Sequence, residues 1–304
     1  MHRSGFACIV GRPNTGKSTL TNALVGQKVA ITSDRPQTTR HTIRGIVTRP
    51  DAQLVLVDTP GFHRPRTLLG ERLNDLVRAT LAAVDILGLC VPADEKIGPG
   101  DRFIAAEMAK TGRRAPAVAV VTKTDLVSKG RLAEQLLAVT RLGADSGLDF
   151  AEIVPVSAVR GEQVELLAEL LTARLPEGPA LYPDGELTDS PELVMVAELI
   201  REAALHGVRD ELPHSLAVVV EEMVAREGRP ADAPLLDVRA DVYVERPSQK
   251  GIVIGRGGER LRDVGTTARR HIEALLGTPV HLDLHVRVAK DWQRDPRQLR
   301  KLGF

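Results

Sequence analysis

Close to the N-terminus, two glycines, a lysine and a serine stand at the spacing that wraps a chain around an anion. The segment Gly11-Arg12-Pro13-Asn14-Thr15-Gly16-Lys17-Ser18 follows the apolar run 6–10 and leads into the helical stretch 19–25. Glycines let backbone N–H groups curl around phosphate oxygens, a lysine at this position neutralises the outer phosphates, and the Ser18 hydroxyl is a Mg²⁺ ligand. Gly11, Asn14, Thr15, Gly16, Lys17, Ser18 and Thr19 are therefore the expected lining of a nucleoside triphosphate site.

Two further segments fit the same chemistry. The apolar run 54–57 ends in Asp58-Thr59-Pro60-Gly61. This puts a carboxylate at a strand tip, where it holds Mg²⁺ through water, and a glycine whose N–H meets the γ-phosphate. Between them lies Gln37-Thr38-Thr39-Arg40-His41, from which one threonine hydroxyl reaches the metal only while the γ-phosphate is present. Thr39 is preferred to Thr38. Lys17, Thr39 and Gly61 are the expected catalytic groups, and Ser18, Thr39 and Asp58 the expected metal ligands. Ras-type switches carry a water-orienting glutamine directly after Asp-x-x-Gly; here that residue is Phe62. An apolar side chain orients no water, so slow basal turnover is expected, on the order of 10⁻³ s⁻¹ or somewhat above.

Base choice follows from Thr122-Lys123-Thr124-Asp125 after the apolar run 117–121. The Asp125 carboxylate accepts two parallel bonds from N1–H and N2–H₂ of guanine, and adenine offers no such pair. Lys123 can lie over the base plane. Ser157-Ala158, after the run 153–156, supplies a backbone N–H to guanine O6. GTP is the implied nucleotide.

The elements that must carry these residues are legible in the hydropathy. Runs 6–10, 54–57, 86–91, 117–121 and 153–156 read as buried strands alternating with amphipathic stretches, the rhythm of βα units on a mostly parallel sheet with helices on both faces. This α/β domain spans 1–175. Residues 176–190 hold three prolines and two glycines without periodicity and read as a linker. Residues 191–304 form the second domain. A helix opens after Ser190-Pro191-Glu192, strands follow near 215–224, at 238–244 and at 280–288, and the stretch 257–276 is helical, which makes a small α+β domain. His281, Asp283 and His285 share one face of the last strand and read as a solvated face rather than a metal site. Trp292 reads as a core anchor of the C-terminal tail.

Residues 246–304 carry 13 Lys/Arg against 6 Asp/Glu, whereas residues 1–245 carry 28 against 34. A basic end on an acidic body points to a polyanionic partner. Cys8 and Cys90 each sit in apolar runs and read as buried, inert thiols of a reducing compartment. No apolar run approaches the roughly 20 residues that span a bilayer, so a cytoplasmic protein is expected, at most peripheral to the inner face of the cell membrane.

Gly11–Ser18, Gln37–His41, Asp58–Gly61, Ser157–Ala158, Gln249–Gly258 and the tail Asp291-Trp292-Gln293-Arg294 to Phe304 resemble the Era family, TRAFAC-class bacterial GTPases of small ribosomal-subunit assembly with a C-terminal KH domain. The resemblance covers nearly the whole chain. It implies a P-loop GTPase domain followed by a type II KH domain, with small-subunit (16S) ribosomal RNA near its 3′ end and the small subunit itself as partners of a monomer. Gly255-Arg256-Gly257-Gly258 would be the KH loop that lets an RNA backbone approach, with Arg256 on phosphate and Ile252 and Ile254 forming a platform for bases. Lys250 and Arg260 would complete this surface. The type II order requires both later helices, expected within 257–276. In related GTPases with Asn14 in the P-loop, that asparagine ligates a monovalent cation such as K⁺. One departure stands out: the family's guanine motif begins with Asn, here Thr122, which predicts weaker bracing of the base loop. A nucleotide-gated adaptor at a protein or anionic membrane surface is the competing reading.

Overall fold

The computed structural model describes residues 1–32, 39–62, 65, 67–111, 115–208, 215–230 and 232–304. The described chain falls into two compact units, Met1–Pro65 with Arg72–Asp189, and Arg66–Glu71 with Ser190–Phe304.

In the first unit, β1 (Arg3–Val10), β2 (Ile43–Arg49), β3 (Ala52–Asp58), β4 (Ile86–Pro92), β5 (Ala117–Thr122) and β6 (Phe150–Pro155) form one sheet in the order β2-β3-β1-β4-β5-β6. All pairings are parallel except β2 with β3. Helices α1 (Lys17–Val25), α2 (Leu68–Ala83), α3 (Pro99–Lys110), α4 (Lys129–Ser146) and α5 (Val164–Thr172) connect the strands. Because successive strand residues point to opposite faces, Ala7 and Ile9 enter one core while Cys8 and Val10 enter the other. Strands β3 and β4 are buried along their whole length, which is why they read as continuous apolar runs. Both cysteines are free and buried, and burial pushes each thiol up to about 12.

Strand β2 has no counterpart among the expected strands. It pairs antiparallel with β3 from Ile43↔Asp58 to Arg49↔Ala52, and Gly45 interrupts its apolar alternation. The glycine is there for space, since a Cβ at Gly45 would lie 2.7 Å from Val25 Cγ2 at the end of α1.

The stretch 176–190, read as a linker, is bonded to the first unit at several points. The Ser4 N–H donates to the Pro176 carbonyl, Gly178 N–H to the His2 carbonyl, and Ile46 N–H to the Leu187 carbonyl. Fully buried Gln53 accepts from the N–H groups of Leu181 (2.6 Å) and Tyr182 (2.8 Å) and donates to the Tyr182 carbonyl (3.0 Å). Proline and glycine deny this segment a regular element, yet its backbone groups find partners on β1, β2 and β3.

The second unit comprises α6 (Glu192–Leu205), β7 (Ala217–Ala225), β8 (Leu236–Val244), α7 (Pro247–Ile254), α8 (Glu259–Leu276), β9 (Val280–Val288) and α9 (Pro296–Lys301). The sheet order is β7-β8-β9, with β7 antiparallel and β9 parallel to β8. The α-β-β-α-α-β order is that of a type II KH fold, but its two later helices are not both within 257–276. The first, α7, precedes the glycine loop and includes what read as an apolar run. Its β-branched Ile-Val-Ile and Gly251 disfavour helix locally. Pro247 in the first turn, the Gln249 side chain accepting from the N–H groups of Glu245 and Arg246 (2.9 Å each), and burial of Val253 override that preference. Trp292 is fully buried, donates to the Ser215 carbonyl at 2.9 Å and stacks on Phe304. His281, Asp283 and His285 are exposed, with His281 beside Asp237 (3.1 Å), and among the described residues no metal-holding cluster of three or more such groups exists.

Candidate nucleotide site and nucleic-acid interface

Strand β1 has β3 on one side and β4 on the other, so the connections after its carboxyl end diverge and leave a crevice there. Parallel pairing brings the ends of β3, β5 and β6 to the same edge. The residues at 11–18, 58–61, 122–125 and 157–158 therefore converge although they are far apart in sequence.

At the phosphate end, Asn14 and Gly16 adopt left-handed φ of 64° and 89° as the loop turns into α1. The Lys17 side chain is buried and its ammonium donates to the Arg12 carbonyl at 2.7 Å. Burial pushes its pKa below the ordinary lysine range, although Asp58 pulls it the other way. A desolvated cation resting on a neutral carbonyl is a site for an anion. Ser18 Oγ donates to Asp58 Oδ2 at 2.7 Å, Thr39 Oγ1 lies 3.0 Å from Ser18 Oγ, and the same Thr39 hydroxyl donates to Asp58 Oδ2 at 3.3 Å. Burial raises the Asp58 carboxyl above its usual range despite the hydroxyls of Ser18 and Thr39 and the charge of Lys17. Its other oxygen, Oδ1, is buried without a hydrogen-bond partner among the described residues. The Ser18 and Thr39 hydroxyls gather on one oxygen of a carboxylate whose other oxygen has no such partner, and this set of hard oxygen donors fits Mg²⁺. Thr39 is thus at the cluster, while the alternative, Thr38, lies outside the described residues. Thr19 follows Ser18 in the first turn of α1.

Gly61 lies against the phosphate loop so closely that a Cβ would come within 3.0 Å of the Pro13 nitrogen. The next residue, Phe62, is buried, packs against Phe103 at 5.2 Å between ring centroids, and has the Arg78 guanidinium over its ring. Its side chain belongs to the core rather than to the position of a water-orienting group.

At the base end, the Thr122 hydroxyl donates to the Thr15 carbonyl at 2.5 Å, so the bracing expected to weaken without asparagine is supplied by threonine. Lys123 takes a left-handed backbone (φ 57°) and its ammonium sits 3.7 Å from Asp94. Asp125 Oδ1 accepts from Ser157 Oγ at 2.7 Å. The Ser157 N–H is taken by the Glu162 carbonyl at 3.1 Å, so of the pair expected at guanine O6 it is Ala158 that can offer an N–H, while Ser157 aims the carboxylate. Sequence reasoning missed Arg12, whose guanidinium donates to Asp101 and Glu95, both at 2.8 Å. These partners are more than 80 residues away, and only the acidic helix start at Gly98-Pro99-Gly100-Asp101 hinted at them.

In the second unit the glycine loop joins α7 to α8. Lys250, Ile252, Arg256 and Gly257 are exposed, Ile254, Gly255 and Gly258 are half-buried, and Ile252 stands 53% exposed beside the loop. Arg260 departs from expectation. Its guanidinium donates to the carbonyls of Ala204 (3.1 Å) and His206 (2.9 Å), capping the C-terminal end of α6. Arg262, Arg269 and Arg270 line the exposed side of α8, whose buried side carries Val264, Ala268 and Ile272.

Residues 6–123 match the family model of 50S ribosome-binding GTPases, and residues 211–293 match that of the KH domain. The chain is 74% identical over its full length to GTPase Era of Streptomyces coelicolor, covering 96% of that protein. It is 68% identical to GTPase Era of Mycobacterium avium, with 99% of each chain covered. Among solved structures, Era in complex with MgGDPNP and nucleotides 1506–1542 of 16S ribosomal RNA is 34% identical, with a TM-score of 0.92 over 100% of this chain and 99% of that one. An Aquifex aeolicus Era variant bound to GDP·AlF4⁻ is 33% identical, with a TM-score of 0.91 over 99% of both chains.

Proposed function

The chain belongs to the Era family of GTPases, and from that membership we propose that it is a switch whose GTP state governs its hold on 16S ribosomal RNA during small-subunit assembly. It hydrolyses GTP in the first unit and grips RNA through the KH loop of the second. The observation that carries the reading is the convergence at the end of β1 of the buried Lys17 ammonium, held on the Arg12 carbonyl at 2.7 Å, with the Ser18 and Thr39 hydroxyls gathered on Asp58.

Ser18, Thr39 and Asp58 would hold Mg²⁺, which when bound offsets the charge of the β- and γ-phosphate oxygens. Lys17 stabilises the negative charge that gathers on the transferred phosphoryl group, and does so in a buried position where the interaction is poorly screened. The Gly61 N–H is the group whose contact distinguishes GTP from GDP. Asp125, aimed by Ser157, reads the guanine edge, and Lys123 covers the base. With Phe62 in the core, no side chain at that position orients the attacking water, in keeping with slow basal turnover. Asn14 is the residue we assign to a monovalent cation beside the phosphates. Work on the ribosomal particle would locate the protein in the cytoplasm.

In the second unit Arg256 and Lys250 meet RNA phosphates and Ile252 meets bases; no Phe, Trp or Tyr occurs between residues 246 and 276, so backbone shape dominates recognition. The test is the affinity for the 3′-terminal segment of 16S ribosomal RNA with GDP and with a non-hydrolysable GTP analogue, at one salt concentration. A coupling of about 1–3 kcal/mol gives roughly 5- to 150-fold between the states, and RNA must change nucleotide affinity by the same factor. Equal affinities in both states would leave a GTPase and an RNA binder acting independently.

A further inference from the structure

Between α3 and α4 the first unit carries a cavity of about 360 Å³ that no part of the nucleotide site uses. It is lined by Lys96, Arg102, Arg131 and Arg141 against one carboxylate, Asp145, together with Gln135 and the apolar Ile97, Ala138 and Leu142. Arg131 is 3.3 Å from Glu134. Among the described residues, Lys96, Arg102 and Arg141 form no ion pair.

This surplus is not background, because residues 1–245 are acidic, with 28 Lys/Arg against 34 Asp/Glu. A larger cavity of about 640 Å³ on the open sheet face of the second unit makes the contrast. There Arg287 is bonded to Asp241, Arg239 lies 3.5 Å from Glu222, and Lys301 sits over the Tyr243 ring. Its charges are matched from within, whereas those of the α3–α4 cavity are left for an outside anion.

We propose that the α3–α4 cavity is a second RNA contact, which holds the phosphodiester backbone of small-subunit ribosomal RNA outside the segment bound by the KH loop. It rests on the RNA reading given above. Guanidinium forks on α3 and α4 and an ammonium on the preceding loop match phosphate oxygens. Contacts of this kind to phosphate position RNA without reading its sequence.

The cavity is also built into the nucleotide site. The buried Gln135 amide donates to the carbonyls of Pro92 and Glu95, both at 2.9 Å, and so fixes the loop that presents Lys96. The same loop carries Glu95, which accepts from Arg12 of the phosphate loop, and Asp94, which faces Lys123 at the base end. A phosphate drawn onto Lys96 acts on a loop tied to both ends of the nucleotide.

The experiment compares the full-length wild type with Arg102→Glu/Arg141→Glu, the milder Arg102→Gln/Arg141→Gln, and Gly257→Asp in the KH loop. Gly257 has open space around it and a left-handed φ of 58°, which aspartate tolerates better than most side chains though at some strain. Each protein is titrated with complete 16S ribosomal RNA and with a transcript of its 3′-terminal segment over a salt series. For the charge reversal, binding to complete RNA should weaken about tenfold or more. The slope of log affinity against log salt should become shallower by about 1.4–1.8, for two phosphates lost. The glutamine pair should lose the same slope with an unchanged melting temperature, and both pairs should bind the 3′-terminal transcript and GTP as the wild type does. Wild-type affinity and slope of both pairs on complete RNA would overturn the proposal. Wild-type binding of both RNAs by Gly257→Asp would instead overturn the KH reading.

Discussion

The Thr122 hydroxyl donates to the Thr15 carbonyl at 2.5 Å, so the end of β5 is bonded directly to the glycine-rich loop between β1 and α1. Thr122→Val keeps the shape and removes the donor, leaving a buried carbonyl unpaired at a cost of about 1–3 kcal/mol. Affinities for GTP and GDP should fall together, by about tenfold, with guanine preference intact because Asp125 is untouched. Thr122→Asn, which restores a donor, should recover them. Unchanged binding by the valine variant in a fluorescent-nucleotide titration would show the bond to be idle.

Asp125→Asn should exchange guanine for xanthine preference, because an amide donates to the C2 carbonyl of xanthine where the carboxylate accepted from the guanine amine. Ser157→Ala should lower guanine-nucleotide affinity without changing that preference, since the hydroxyl only aims the carboxylate. Competition between GTP and XTP measures both, and an Asp125→Asn protein that still prefers GTP would remove Asp125 from the base site.

Phe62→Gln tests where that side chain points. Because Phe62 packs on Phe103 and Arg78 inside the core, a glutamine there should not accelerate hydrolysis and should destabilise the protein by about 3 kcal/mol, from lost packing and a buried amide. Single-turnover rates and thermal melts decide this; a faster, equally stable variant would place residue 62 at the phosphates.

Asp189 gives the segment after the first domain a pH dependence. Partial burial alone would raise its carboxyl, but the Tyr182 hydroxyl (2.7 Å) and the Arg44 guanidinium (2.6 Å) hold it below the usual aspartate range. A carboxyl with a depressed folded-state pKa stabilises the fold above its unfolded value of about 3.9, and loses that contribution as pH falls through the lower folded value. Asp189→Asn should therefore melt below the wild type at pH 7, and the gap should close as acid is added below about pH 4. A gap independent of pH would mean the contact acts through shape alone.

By itself the sequence marked the glycine-rich loop at 11–18, the strand tip at Asp58, the turn that carries Asp125 and the glycine loop of the second unit. Each rests on a few consecutive residues whose turn chemistry and flanking periodicity are local. It also determined the buried strands, because parallel strands covered on both faces are apolar throughout. The remainder depended on partners far along the chain. Helix α7 forms against its β-branched residues because Val253 is buried and Gln249 caps the chain behind it. The proline-rich stretch after residue 175 is held by Gln53, about 130 residues earlier, and Arg260 is drawn from the RNA surface by carbonyls at the end of α6. Spacing along a chain specifies what a turn or a helix face can do, but a side chain with several suitable partners is assigned to one only when packing fixes which of them it can reach.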